Sequence, residues 1–107
     1  KVPFLPEWKD RMRSGQKTAT SRTERIGGQG DVFTAFGEYF VLIKVARLAL
    51  GIIAAVYHRQ EGCQSEEEFL NVWKKIHPRS GWTPGKNVWY HEFKLVQDKP
   101  AHPKRAA

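Results

Sequence analysis

Residues Gly15-Gln16-Lys17-Thr18-Ala19-Thr20-Ser21-Arg22 set two cations, two threonines and a serine in one eight-residue stretch. The stretch follows a short amphipathic segment and precedes a glycine-rich loop. Its β-branched threonines favour extended backbone, and Gly15 suits the left-handed position that closes a helix. A strand this polar is poor core material. The reading is therefore helix, tight turn, then a polar strand lining a cleft.

On the N-terminal side, Val2 to Leu5 is a short apolar lead-in. Pro6 fits the first turn of a helix reaching about Ser14, with Trp8 and Met12 as its buried stripe. On the other side, Thr23 to Gly30 reads as a loop. Its Gly27-Gly28-Gln29-Gly30 run lacks a following Gly-Lys-Ser/Thr, so it is a mobile turn rather than a phosphate loop. Asp31 to Phe36 is a short strand, Gly37-Glu38 a turn, and Tyr39 to Leu50 a long strand. That strand is apolar on both faces, which marks it as central, and Gly51 is expected to end it. Ile52, Ile53, Val56 and Tyr57 predict a helix to about Gln60, stopped by Gly62.

Ser65-Glu66-Glu67-Glu68 is a capping box, followed by Phe69, Val72, Trp73 and Ile76 at helical spacing. Lys74, Lys75 and His77 stand where the helix dipole favours cations, a position that also suits a phosphate contact. Residues 79–86 form a loop, and Val88 to Val96 alternates as a last strand, with Trp89, His91, Phe93 and Leu95 on one face. There are no internal repeats. Few strands among helices, without strand–helix–strand alternation, predict an α+β fold: a small curved mixed β-barrel flanked by helices, in one domain over residues 1–96.

A 40% apolar, 12% aromatic composition belongs to a globular chain. The net charge of +7 favours polyanions, nucleic acid first. Residues 97–107 are read as a disordered basic tail: Lys99, Lys104 and Arg105 against Asp98 give it +2, leaving +5 for the body. The one cysteine, Cys63, has no internal disulfide partner, so a reducing, cytoplasmic compartment is expected. The longest apolar run, residues 40–56, is interrupted by Lys44 and Arg47 and cannot span a membrane. Since the chain begins at Lys1, it is read as trimmed or as part of a longer one. His58, His77, His91 and His102 lack metal-ligand spacing, so neither metal nor other cofactor is expected.

Several short motifs then fall in a fixed order: Gly15-x-Lys17-Thr18-x-Thr20-x-Arg22, Gly30-Asp31-Val32, Glu61-Gly62-x-x-Ser65-x-x-x-Phe69 leading to Trp73 and His77-Pro78, and Val88-x-x-x-x-Phe93. Together they resemble the ASCH domain, a family of the PUA-like superfamily of small β-barrels, over residues 4–96. The resemblance implies a PUA-like barrel whose cleft binds RNA or a modified nucleoside. Some bacterial members are amidohydrolases that deacetylate N4-acetylcytidine, and their Lys, Thr and Glu fall here on Lys17, Thr20 and Glu61. Other members are RNA binders, ribonucleases or coactivator modules, so the fold alone does not select an activity.

Amide hydrolysis needs a nucleophile, a base for its proton and donors for the oxyanion. In the family assignment Thr20 attacks, Lys17 accepts the proton if desolvation frees its amine, and Glu61 relays the proton or orients the lysine. Glu61 ends a helix, where the dipole disfavours a carboxylate, and Lys17 is a candidate compensator. On an ideal strand positions 17 and 20 face opposite sides, so Lys17 would have to lie in the turn. The alternative is a Lys17–Glu61 ion pair locking strand to helix, with Thr20 merely on the sheet surface. Arg22 is a candidate for substrate binding, as is Trp82, an aromatic in a Gly/Pro loop that could stack on a base; Trp89 reads as core. For RNA, the alternative partner, Arg22, Arg25 and Lys44 would form an open basic groove. Cys63 has no His partner in a recognisable pattern and is not read as a nucleophile.

Overall fold

The structure is a computed structural model that describes residues 2–96. The expectation of a disordered tail over 97–107 lies outside the described residues.

Pro6–Trp8 forms a 3-10 turn that runs into α1 (Lys9–Ser14), and Gly15 closes that helix with φ 84°. Four strands follow in the chain: β1 (Ala19–Arg22), β2 (Val32–Ala35), β3 (Glu38–Ala49) and β4 (Asn87–Leu95). Between β3 and β4 lie α2 (Leu50–Tyr57) and α3 (Glu66–Ile76). The strand order is β1-β4-β3-β2, a curled sheet in an α+β fold. Every pairing is antiparallel rather than mixed, because α2 and α3 bring the chain back beside Ala49 at Asn87. The sheet forms an open half-barrel. Between its free edges runs the apolar lead-in, whose Val2 N–H donates to Thr34 O at 3.1 Å and whose Pro3 accepts from Arg22.

The long strand is central, as its composition implies. Its outer face is less buried than expected: a bulge between Leu42 and Lys44 pushes Ile43 out to 47% exposure. A bulge bends a strand and strengthens its twist, which helps a four-stranded sheet to curl. Gly51 does not end the strand. It lies in the first turn of α2, where a Cβ would stand 3.2 Å from Pro84. The apolar stripe of α2 is Leu50, Ile53, Ala54 and Tyr57, whereas Ile52 and Val56 face outward. Both stripes satisfy helical spacing; α3 and β4 decide between them, with Tyr57 against Tyr90 at 4.7 Å.

Ser65 caps α3 by accepting from Glu68 N–H, and Glu68 reaches back to the amide of Gln64. The helix buries Phe69 and Trp73. β4 is covered on both faces: Val88 and Tyr90 lie on one, His91 and Phe93 on the other. Phe93 closes an aromatic cluster with Phe4, Phe33 and Phe40. Trp89, expected in the core, is only half-buried, with the guanidinium groups of Arg25 and Arg47 against its ring.

Gly62, at φ 89°, fixes where the α2–α3 connection meets the Lys17 turn. A Cβ there would lie 2.8 Å from Lys17 Cβ. Gly62→Ala is therefore expected to lower stability by more than about 1 kcal/mol, combining the left-handed strain with this clash. Gly81→Ala, at φ 63° with open space around it, should cost less. Paired denaturant melts check the ranking.

Candidate functional site

The site is built where three loosely connected segments are stitched by backbone. The carbonyl of Gln60 accepts from the amides of both Thr18 and Ala19, at 2.7 and 2.8 Å. The Lys17 amide donates to Arg11 O at 2.8 Å, and Arg11 Nη1 donates to Gly62 O at 3.0 Å. These bonds hold Lys17 in the turn before β1, as the alternation argument required, and set Glu61 beside it.

Lys17 Nζ is buried among acceptors. It donates to Ala19 O at 2.7 Å and Glu61 O at 2.8 Å, and stands 3.5 Å from Glu61 Oε1. The indole of Trp8 lies beneath it at 4.6 Å. Burial lowers the pKa of Lys17, while the Glu61 carboxylate beside it opposes the shift. Three oxygens around one nitrogen match the three N–H donors of an ammonium and leave no direction for a lone pair.

The other carboxylate oxygen, Glu61 Oε2, accepts a 2.6 Å hydrogen bond from Ser21 Oγ. The strand thus brings Ser21, not Thr20, to Glu61. Thr20 is buried, and its Oγ1 accepts from Arg22 Nε at 3.3 Å. Arg22 also donates to Pro3 O at 2.6 Å and lies over the ring of Phe4. Burial lowers its pKa, with Glu61 acting against the shift.

A cavity of about 550 Å³ opens along this cluster, within the roughly 300–1,000 Å³ typical of small-molecule sites. Lys17, Thr20, Ser21, Arg22 and Glu61 line it together with Trp8, Phe69, Val72 and Trp73. His77, stacked on Trp73 at 4.0 Å, also lines it. Arg25 reaches the cavity, but Lys44 does not: it lies over Tyr57. Trp82 is also elsewhere: half-buried, it packs edge-on to Phe69 against the core. Cys63 lines the cavity as a buried thiol pushed up to about 12, mainly by desolvation, in keeping with an unreactive cysteine. No cluster of His, Cys, Asp and Glu able to hold a metal ion occurs among the described residues, and no helix among them is long and apolar enough to cross a membrane.

Sequence reasoning missed His91, which is fully buried behind the site. Its Nε2 accepts from the Ile26 amide at 3.0 Å and its Nδ1 donates to Thr20 O at 3.2 Å, tying the loop after β1 to the strand.

No family model and no curated protein matches the sequence. Among solved structures, the chain is similar to a protein of Enterococcus faecalis V583 described under family-model DUF984, with TM-score 0.62 and 18% identity over 90% of this chain and 76% of that one. It is also similar to an ASCH domain from Lactobacillus crispatus JV V101, with TM-score 0.58 and 13% identity over 89% of this chain and 77% of that one. The fold is that of an ASCH domain.

Two expected outcomes follow from this geometry. Glu61→Leu leaves the Lys17 ammonium buried without its carboxylate and should cost about 3–5 kcal/mol, with Lys17→Met/Glu61→Leu recovering part of the loss in a double-mutant cycle. His91 must be neutral to accept from Ile26, and desolvation holds its pKa below the ordinary 6.5. Between that lowered value and 6.5 the unfolded chain binds more protons, so stability should fall as pH drops below about 6.5. His77, also lowered by burial and then by Lys86, acts in the same direction. Amide exchange at Ile26, followed from pH 7.5 toward pH 5 (both approximate), checks whether this loop loosens first.

Proposed function

We propose that the cavity takes a single modified pyrimidine nucleoside, free or within RNA, and that the protein hydrolyses the N4-acetyl amide of N4-acetylcytidine. The observation that carries this reading is the buried Lys17–Glu61 pair, with half-buried Ser21 bonded to its carboxylate, facing a cavity of nucleoside size. A buried ion pair is on its own a weak sign of function. Here its carboxylate also holds a hydroxyl at 2.6 Å on the cavity wall, the contact that activation of a nucleophile requires.

In this mechanism Lys17 stays an ammonium and holds Glu61 in place. Glu61 takes the proton from the attacking hydroxyl as the oxygen bonds to the acetyl carbon. It then returns that proton to the cytosine amino group as the C–N bond breaks. Water hydrolyses the resulting acetyl ester, with Glu61 accepting the water proton and restoring the hydroxyl, so acetate and cytidine leave. The family assignment gives the attack to Thr20. The contact with Glu61 favours Ser21, with Thr20 fixing the Arg22 guanidinium that faces the substrate.

The antiparallel register refines the picture. Phe93 N–H donates to Thr18 O, so Thr20 and Arg22 turn their backbone groups toward β4, while Ser21 turns its own toward the open edge of β1. That edge offers one donor and one acceptor to a base. A non-catalytic reading, RNA binding in the same basic cleft, is favoured by the +7 net charge.

Purified protein should release cytidine from N4-acetylcytidine. Lys17→Ala and Glu61→Ala should abolish turnover, and Ser21→Ala should lower it by at least about a hundredfold, the scale of a lost proton-transfer or nucleophile contact. Thr20→Ala exceeding Ser21→Ala in effect would return the attack to Thr20. No turnover by the wild type, with RNA affinity that falls steeply with salt, would favour the binding module.

A further inference from the structure

Running out from the cavity, the sheet carries a row of side chains of which the proposed chemistry uses only Arg22. The register places Arg22 opposite Trp89 on one side and Arg47 opposite Trp89 on the other. Paired residues project from the same face, so arginine, tryptophan and arginine form one row across β1, β4 and β3. Arg25, from the loop after β1, adds a third cation: its guanidinium lies 5.5 Å from the Trp89 ring centre, and that of Arg47 lies 5.2 Å away.

Arg22 donates to Pro3 O and Arg25 to Gly27 O, but none of the three cations is in an ion pair among the described residues. Among the described residues the ion pairs use Arg11, Arg13, Lys17 and Lys75, and no carboxylate stands within ion-pair distance of Arg22, Arg25 or Arg47. Arg25 and Arg47 are exposed and Trp89 is half-buried, so the row is open to solvent. Arg22 and Arg25 also line the cavity, whereas Trp89 and Arg47 do not. The row therefore starts at the cavity mouth and leads away from it for two strand spacings, about 10 Å.

We propose that Trp89, with Arg25 and Arg47, is a stacking and phosphate platform for the nucleotide flanking the one in the cavity, which makes the ligand a single-stranded RNA segment. The inference rests on the reading that the cavity takes a nucleoside. An unpaired strand is required because only unstacked bases can lie on a side-chain ring. The arriving base takes the place of one guanidinium on the indole, and the released cation, which has no carboxylate to leave, turns to the phosphate. Salt-sensitive affinity is the expected signature.

The test is titration of a labelled single-stranded RNA oligonucleotide with wild type, Trp89→Ala and Arg47→Ala, alongside binding of free N4-acetylcytidine and thermal melts. Trp89→Ala should weaken oligonucleotide binding by about tenfold or more. Arg47→Ala should lower the slope of log affinity against log salt by about one. Binding of the free nucleoside should be unchanged in both. Oligonucleotide affinity indifferent to both substitutions would overturn the platform; a lower melting temperature as their sole effect would reduce the row to a brace for the 23–30 loop. If the wild type binds no RNA at low salt, the platform is likewise wrong. RNA binding that depends on Trp89 without any nucleoside binding would instead sink the cavity reading and leave the platform standing.

Discussion

An ammonium at 3% exposure is the constraint around which this small domain is arranged. Moving such a charge out of water costs several kcal/mol unless its donors are met. The acceptors come from two segments forty-four residues apart in sequence, the Lys17 turn and the Glu61 turn. Meeting them requires the Gln60 carbonyl to hold β1, Arg11 to reach Gly62, and Gly62 to lack a side chain. The site is thus also a structural joint between the N-terminal third and the helical connection. Side chains at such a joint have little freedom to reorient, which suits the fixed geometry that the proposed chemistry needs.

The cavity lining combines two kinds of chemistry. One is cation, carboxylate and hydroxyls; the other is the aromatic surface of Trp8, Phe69 and Trp73. A flat heterocycle with polar edges and an apolar face matches that division, as a pyrimidine does. The arginines at the mouth extend the match toward a phosphodiester chain. On the proposed reading, recognition of one base and tracking of a strand meet at Arg22 and Arg25, which line the cavity and also begin the row.

Much of this was legible in the sequence, and the failures have physical causes. Gly15, the Ser65 cap and the Phe69/Trp73 stripe carry local signals, and all three hold. The stripe of α2 was misread because Ile52 and Val56 fit helical spacing as well as Leu50 and Ala54 do; only tertiary packing chooses between them. Gly51 reads as a strand end locally, yet its small size serves contact with Pro84. Lys17 and Glu61 were paired through the motif and stand side by side, although α2 ends at Tyr57 rather than about Gln60, so the helix-end argument did not carry the pairing. Ser21 was overlooked although a signal existed: positions 17, 19 and 21 share parity, so alternation alone places Ser21 on the lysine's side. Trp82 misled because a Gly/Pro loop does not reveal that its aromatic folds back onto Phe69. The roles of His91 and Trp89 depend on strand register, which no local pattern encodes.

The most direct test of the account is an amide chemical-shift titration of the folded protein with N4-acetylcytidine. Binding as described should move the resonances of residues 17–22 and 61–63 together, with smaller changes along α3 at Phe69 and Trp73. Saturable shifts confined to other surfaces, or none at all, would contradict the claim that the Lys17–Glu61–Ser21 cluster is a nucleoside site and leave it a structural joint.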